Sequence, residues 1–284
     1  MSHAISRRVR GVTLAGLAVA LAWSAACGKG GGSSPTAPTP TPTTTAVAVG
    51  YPAGGTIFIG REVQFEARQT LSDGTTRVAT SATWGSDTPG VATVSATGLV
   101  RGVAAGEATI FADAPVRGVL RIRVYPDFGG TWRGNEVINS CQGSGTLAAL
   151  CAEFGPGEVG LHDSSFTQTD ASVNATIDAG DGSTARTTGT ISVGGELQLP
   201  SVPFLPAEPG VDSQVQNWRS RSDVPAAMTG TYDLYVTAAG VSGFIRLSLR
   251  LESVVRTSSQ AGQAQSSDGR TVVNRVRQRI RTSR

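Results

Sequence analysis

The chain has 284 residues, which is enough for two domains with separate hydrophobic cores. Charged residues make up only 16% of it and glycine occurs 36 times, a composition that favours short strands and tight turns over helices. The net charge is +3, and nearly all of the positive charge comes from arginines, which are spread over outward strand positions without interleaved aromatic residues. This pattern argues against a nucleic-acid-binding surface, so no nucleic-acid partner is expected.

An export signal is predicted at residues 1–27. A basic segment ends at Arg10, residues 12–22 are apolar, and small residues from Ser24 onward precede Cys27. The apolar run is shorter than the stretch of about 20 residues that spans a membrane. The segment resembles a bacterial lipoprotein signal, although Ser24 stands where that family prefers leucine. The resemblance implies that Cys27 carries a lipid, which anchors an exported protein to a membrane of the cell envelope, facing periplasm or exterior. Plain secretion and an uncleaved anchor are the alternatives.

A disordered linker is predicted at residues 28–45. This stretch consists almost entirely of glycine, serine, threonine and proline and lacks the apolar residues that a folded core needs. Its alternating Thr-Pro part favours an extended, semi-rigid conformation. The linker would hold the following domain clear of a bilayer.

The next region, residues 46–125, shows the period-two pattern of half-buried strands. Residues 63–67 alternate apolar and polar side chains, and residues 119–124 place arginines opposite aliphatic side chains. Trp84 is expected to fill the space between two packed sheets.

The same region resembles the bacterial immunoglobulin-like domains of group 2. Several submotifs occur in the order typical of that family: Gly60–Phe65, Trp84 with Ser86–Asp87, Val91–Val94, Thr97–Val100 and Gly106–Ile110. The resemblance covers about residues 45–125 and implies a β-sandwich that serves as a surface module in adhesins and in secreted or wall-attached proteins. It implies no chemistry.

A second all-β domain is predicted at residues 128–284. The alternating runs are Gly160–Thr169, Ala171–Asp178, Thr184–Val193, Glu196–Leu199, Val211–Arg219, Ala227–Thr237 and Gly243–Val255. Because short turns join most of these runs, we expect an antiparallel meander that closes into a barrel. The opening Gly130-Thr131-Trp132 resembles the start of the first strand in lipocalin-like proteins, but that motif covers only the beginning of the domain.

The basic C-terminal arm has two interpretations. Residues 271–281 alternate arginine with apolar or amide side chains, and the preferred interpretation is a final strand of a hairpin. The spacing of Val272, Val276 and Ile280 also permits an amphipathic helix that lies on anionic lipid or on another partner.

The three cysteines fit an exported lipoprotein. If Cys27 carries a lipid, Cys141 and Cys151 are left to form a disulfide in an oxidising compartment. A metal pair is the rival hypothesis, but His162 is the sole histidine after the signal and offers too few ligands. We expect neither a metal nor a cofactor.

No catalytic constellation is evident in the sequence. His162, Asp163 and Ser164 do not form a triad, because adjacent strand residues point to opposite faces of a sheet, and His162 is expected to be a surface residue. A glycan hydrolase would need two paired carboxylates, and no spacing singles out a pair among the acidic residues Glu153, Glu158, Asp163, Asp170, Asp178 and Asp181. The chain is therefore not expected to be an enzyme.

Four aromatic residues of the second domain are candidates for a ligand platform, although such rings more often fill a core or plug a barrel: Trp132, Trp218, Tyr232 and Tyr235. The predicted function is that of a non-enzymatic envelope protein, in which the immunoglobulin-like module spaces or displays a β domain that binds a surface polysaccharide or protein. A glycan hydrolase using carboxylates of the second domain and a carrier of small apolar ligands are the alternatives.

Overall fold

The computed structural model describes residues 40–205, 209–224, 227–257 and 270–283. The export signal, Cys27, most of the linker and the polar stretch 258–269 lie outside these residues, so the predictions made for them stay predictions.

The N-terminal part of the described chain is an immunoglobulin-like β-sandwich. Its strands are β1 (Thr44–Gly50), β2 (Ile57–Phe58), β3 (Glu62–Gln64), β4 (Glu66–Leu71), β5 (Thr76–Val78), β6 (Thr83–Ser86), β7 (Ala92–Val94), β8 (Leu99–Gly102), β9 (Gly106–Ala114) and β10 (Val116–Tyr125). They form three small sheets in the orders β1-β4-β5, β2-β10-β9-β6 and β3-β8-β7. The inward side chains, Phe65, Ile110 and Ile122 among them, make one hydrophobic core, which confirms the predicted alternation.

Trp84 occupies only part of the position that the sequence predicts. Its side chain packs against the core of the sandwich but is only half-buried. The ring lies over Gly98, where an added Cβ would come within 2.9 Å of the indole and of the Phe65 carbonyl oxygen. Gly98 also has a φ of 82°, which glycine adopts without strain. The Thr97-Gly98 turn therefore provides the space that the tryptophan needs.

The C-terminal part is a closed, up-and-down antiparallel barrel, as predicted. Its strands are β11 (Gly130–Gly143), β12 (Val159–Thr169), β13 (Ser172–Asp178), β14 (Thr184–Ile191), β15 (Leu197–Leu199), β16 (Val202–Leu205), β17 (Val211–Val224), β18 (Ala227–Ala238) and β19 (Phe244–Arg256). The short strands β15 and β16 both pair with β14 and β17, so together they fill one of the eight positions of the barrel. Pairing of β19 with β11 closes it.

Strand alternation fixes which side chains fill the barrel. In β19, Ile245, Leu247, Leu249 and Leu251 are buried while Arg246 and its outward neighbours are accessible, as the sequence predicts. Large side chains from the other strands, Trp132, Trp218 and Leu234, and Phe128 just before β11 are almost completely buried as well. The interior of the barrel is thus occupied by its own side chains.

The C-terminal arm is an α-helix, α1 (Val272–Thr282), so the preferred interpretation as a strand is wrong. The helix begins at Thr271, whose hydroxyl accepts a hydrogen bond from the backbone N–H of Asn274. Its apolar residues Val272, Val276 and Ile280 share one face and are buried in the core of the barrel. A helix buries Val273 together with these three side chains, whereas a strand would place Val273 on the opposite face.

The two ends of the barrel have different neighbours. At one end, which we call the capped end, α1 contacts the turn between β13 and β14, where Asn274 Nδ2 donates to the Gly180 carbonyl over 3.1 Å. At the opposite end the immunoglobulin-like domain contacts the turns that follow β12 and β14. Thr56 Oγ1 donates to Asp170 Oδ1 over 2.8 Å, and Arg123 Nη2 donates to the Ile191 carbonyl over 3.1 Å.

Candidate functional site

A cluster of polar side chains lies inside the barrel beneath α1. This interior cluster consists of Glu136, His162, Ser164 and Tyr232, all of them buried. Glu136 Oε2 accepts a hydrogen bond from the Tyr232 hydroxyl, and Glu136 Oε1 accepts one of 2.6 Å from the backbone N–H of Val272. The carboxylate therefore connects the wall of the barrel to the first turn of α1.

His162 is not the surface residue that the sequence suggested. Its side chain is 2% exposed, because β12 already begins at Val159 and its even-numbered residues face the interior with Phe166. Burial beside the Glu136 carboxylate raises the pKa of the Tyr232 hydroxyl well above its ordinary value, with desolvation as the largest cause. The phenol consequently stays protonated and can donate to Glu136.

Glu136, His162 and Ser164 are neighbours in space, with the imidazole between the carboxylate and the hydroxyl as in a catalytic triad. His162 Nε2 lies 2.9 Å from Ser164 Oγ, and His162 Nδ1 lies 3.7 Å from Glu136 Oε2. The second distance is too long for a hydrogen bond, and Glu136 is already engaged by Tyr232 and Val272. The Trp218 ring centroid lies 5.7 Å from that of His162, and the serine is 1% exposed. A triad must touch its substrate, so this geometry supports a structural role for the interior cluster.

The acidic residues considered for glycan hydrolysis do not converge. Most of them pair with separate arginines or donors around the barrel: Glu153 with Arg279, Glu158 with Arg275, Asp163 with Arg133, Asp181 with Arg277, and Asp170 with Thr56. Asp178 accepts from the backbone N–H of Gly180 in a turn. No two of these carboxylates face each other across a shared cleft in the part of the chain that the structure describes.

Three of the four candidate platform residues are buried. Trp132 donates through Nε1 to the Phe128 carbonyl over 2.7 Å, and Trp218 donates to Ser220 Oγ over 3.0 Å. Tyr232 stacks on Trp218 with ring centroids 5.1 Å apart. These rings form the core because they lie at inward positions of their strands, a correction to the platform prediction for Trp132, Trp218 and Tyr232.

Tyr235 is the candidate that reaches the outer wall of the barrel. It stacks on Phe244 of the neighbouring strand with ring centroids 5.4 Å apart. Beside it lies a groove of about 250 Å³, which we call the wall groove, lined by Pro203, Leu205, Asp212, Gln214, Tyr235 and Thr237, with contributions from Phe204 and Ser213. The sequence named Tyr235 but gave no sign of Pro203 and Leu205, because β16 is too short to show a pattern.

A second groove runs along the immunoglobulin-like domain. It measures about 550 Å³ and lies between the edge strand β5 and Trp84, with Phe65 and Ala67 on its floor and the exposed Val78 at its rim. Its walls are largely apolar.

The disulfide predicted between Cys141 and Cys151 is present, which confirms that prediction. It joins the end of β11 to a 3-10 helix at Gly145–Ala152, whose Leu147 and Leu150 enter the core of the barrel.

Within the described ranges, no three side chains of His, Cys, Asp or Glu are placed to hold a metal ion. None of the helices in those ranges is long and apolar enough to cross a membrane.

Comparison with known proteins identifies the first domain. The model of the bacterial Ig-like domain family, group 2, matches residues 41–114, which confirms the resemblance in that region. The match does not extend to the barrel, so the likeness of Gly130-Thr131-Trp132 to lipocalins stays a prediction. No curated protein matches the chain.

Solved structures of surface-layer proteins are similar to the chain at a low level. The S-layer protein rSbsC shows 12% identity and a TM-score of 0.27, over 79% of this chain and 42% of that one. Domains 4–9 of the surface layer protein SbsC show 15% identity and a TM-score of 0.25, over 73% of this chain and 31% of that one. The chain thus spans less than half the length of these proteins, and scores this low carry no inference about function.

Proposed function

We propose that the chain is a non-enzymatic protein of the cell surface that binds its partner with the outside of the barrel. The observation that carries the proposal is the filled interior, in which Trp132, Trp218 and the interior cluster occupy the space that a carrier keeps for its ligand. The immunoglobulin-like domain is consistent with a surface location, since the family match covers residues 41–114. A disulfide between Cys141 and Cys151 also suits an oxidising compartment.

The proposed role of the immunoglobulin-like domain is that of a spacer. It contacts the barrel through Thr56 and Asp170 at the end opposite α1. If a lipid on Cys27 anchors the chain, the immunoglobulin-like domain lies between that anchor and the barrel in the order of the sequence. The finer claim of lipid anchoring is tested by the intact mass of the protein made in a bacterial host, where a chain that begins at Cys27 with added acyl mass is expected.

One experiment separates binding at the outer wall from the two alternatives. The full chain is incubated with soluble and insoluble polysaccharides and, separately, with fluorescent apolar probes, and both retention and release of reducing ends are measured. Retention without turnover, and no uptake of apolar probes by the folded protein, are expected. Saturable uptake of an apolar probe that Trp218→Ala alters would establish a carrier, and release of reducing ends that Ser164→Ala or Glu136→Gln abolishes would establish a hydrolase.

A further inference from the structure

The wall groove combines an aromatic surface with polar groups that have no partner among the residues that the structure describes. Gln214 and Tyr235 face each other in register on β17 and β18, and Asp212 faces Thr237 in the next row. None of the side chains of Asp212, Gln214 and Thr237 makes a hydrogen bond or ion pair with the described residues. A carboxylate, an amide and a hydroxyl therefore line one groove, and the described part of the chain leaves their hydrogen-bonding capacity unused.

The apolar part of the groove suits a flat ligand face. Phe244 supports the Tyr235 ring from one side, while Pro203 and Leu205 line the opposite wall, and Leu205 is 58% exposed. An aromatic ring held in place by a second ring offers a rigid surface at a low entropic cost, since little side-chain freedom is lost on binding. A few polar groups around an apolar floor are the usual composition of a small-molecule site.

The described lining of the groove carries a negative charge. Among the described residues that line it, Asp212 is the charged one. Arg246 stands in register with Tyr235, but its Nε and Nη2 both bond to Asp233, whose carboxylate also accepts from Asn217 Nδ2 over 2.7 Å. Hydrogen bonds from Arg246 and Asn217 outweigh the effect of burial and lower the pKa of Asp233, so this pair stays ionised and compensates itself. The negative charge of Asp212 is left to act on the ligand.

We infer that the wall groove binds an uncharged saccharide and that Asp212 excludes acidic ones. The Tyr235 ring would lie against the apolar face of a sugar, Asp212 would accept hydrogen bonds from two neighbouring hydroxyls, and Gln214 and Thr237 would complete the polar contacts. A carboxylated or sulfated saccharide would bring a second negative charge against Asp212, which disfavours binding. The inference rests on the proposed function, because it names the ligand of the outer wall.

Matched polysaccharides test this assignment. The full chain is titrated with neutral dextran, cellulose oligomers and chitin oligomers, and with carboxymethylated or sulfated forms of each. We expect saturable binding of at least one neutral member, weakened about tenfold or more by Tyr235→Ala and little by Tyr235→Phe, which keeps the ring. Asp212→Asn is expected to raise binding of the acidic form at least about tenfold at low salt and to lose this effect at high salt. Glu252→Gln removes the same charge from the far part of β19 and is the control for net charge.

The outcomes separate the inference from the proposed function. Neutral binding that depends on Tyr235, combined with an acidic form that Asp212→Asn does not favour over Glu252→Gln, would overturn the role of Asp212 and leave wall binding intact. Binding of no neutral member, or binding that Tyr235→Ala leaves unchanged, would overturn the saccharide site. Uptake of an apolar probe into the interior would overturn the proposed function itself.

Discussion

Arg277 of α1 places its guanidinium inside the capped end of the barrel, where Nη1 lies 2.7 Å from Asp181 Oδ2. The arginine is 1% exposed and also donates to Ser213 Oγ on β17 over 3.0 Å and to Ser183 Oγ over 2.6 Å. Its charged group lies 5.4 Å from the centre of the Phe204 ring. A buried cation is tolerated here because each of its polar atoms has a partner, and these contacts join α1 to three separate strands or turns.

We expect Asp181→Asn to lower the free energy of unfolding by about 3 kcal/mol, because it leaves Arg277 buried without a counter-charge. Asp178→Asn is a matched control in the same turn, since Asp178 only accepts a hydrogen bond from the Gly180 N–H and asparagine keeps that acceptor. Urea denaturation at pH 7 measures the free energy of unfolding of both variants. Equal effects of the two substitutions would contradict the pairing.

The same ion pair predicts loss of stability in acid. Burial alone would raise the pKa of Asp181, but hydrogen bonds from Ser183 and Arg277 outweigh it and lower the pKa below its usual value of 3.8. A group whose pKa is lowered in the folded state stabilises the protein above its unfolded pKa, and that contribution disappears as the pH falls through the folded pKa. The wild-type midpoint of unfolding should therefore fall more steeply below pH 4 than that of Asp181→Asn. Parallel pH profiles would refute this.

The disulfide should contribute to the stability of the barrel. Cys141 and Cys151 are separated by 10 residues, and closing a loop of this size reduces the entropy of the unfolded chain by an amount worth about 3 kcal/mol. We expect Cys141→Ser with Cys151→Ser to lose about this much stability in chemical denaturation. Reduction of the wild type should produce the same loss and leave the double variant unchanged. A reductant effect of equal size in both proteins would show that it acts elsewhere.

The sequence predicted most of the fold because alternation is a local property. In β19 the aliphatic and polar residues separate cleanly, so both the strand and its inward face could be predicted, and the family submotifs located the first domain. The hydrophobic pattern did not predict the correct element where the same residues fit both the strand period and the helix period. Val272, Val276 and Ile280 are spaced by four, which satisfies both a strand and a helix, and only the open end of the barrel decides between them.

The interior cluster shows a different limit of prediction. His162 and Ser164 share a face in any strand, and Phe166 on the same face signals that this face is buried. Glu136 and Tyr232, however, lie on β11 and β18, and their meeting with His162 depends on closure of the barrel. The wall groove likewise draws on β16, β17 and β18, so sequence separation hid all but Tyr235.

The turn beneath Trp84 gives a prediction for the immunoglobulin-like domain. Gly98→Ala would force a Cβ to within 2.9 Å of the Trp84 ring and of the Phe65 carbonyl, at a φ of 82°. Gly74→Ala is the matched control, because Gly74 has a φ of 83° but no atom near the added Cβ. Both should lose about 1 kcal/mol from backbone strain, and Gly98→Ala should lose about 1–3 kcal/mol more from the clash. Thermal unfolding followed by tryptophan fluorescence measures the difference, and similar losses would show that Trp84 moves freely aside.

The two tyrosines of β18 offer the sharpest test of the interior. Tyr232 donates its hydroxyl to the buried Glu136 carboxylate, whereas the Tyr235 hydroxyl reaches the outer wall and has no partner among the described residues. Tyr232→Phe should therefore lower the free energy of unfolding by about 1–3 kcal/mol, because Glu136 Oε2 loses its donor. Tyr235→Phe should change it by less than about 0.5 kcal/mol, as is usual at the surface. Urea denaturation of both variants under one set of conditions decides the matter. If Tyr232→Phe were as stable as Tyr235→Phe, Glu136 would have another donor in the folded protein, and the link from the barrel wall to α1 would not depend on this hydrogen bond.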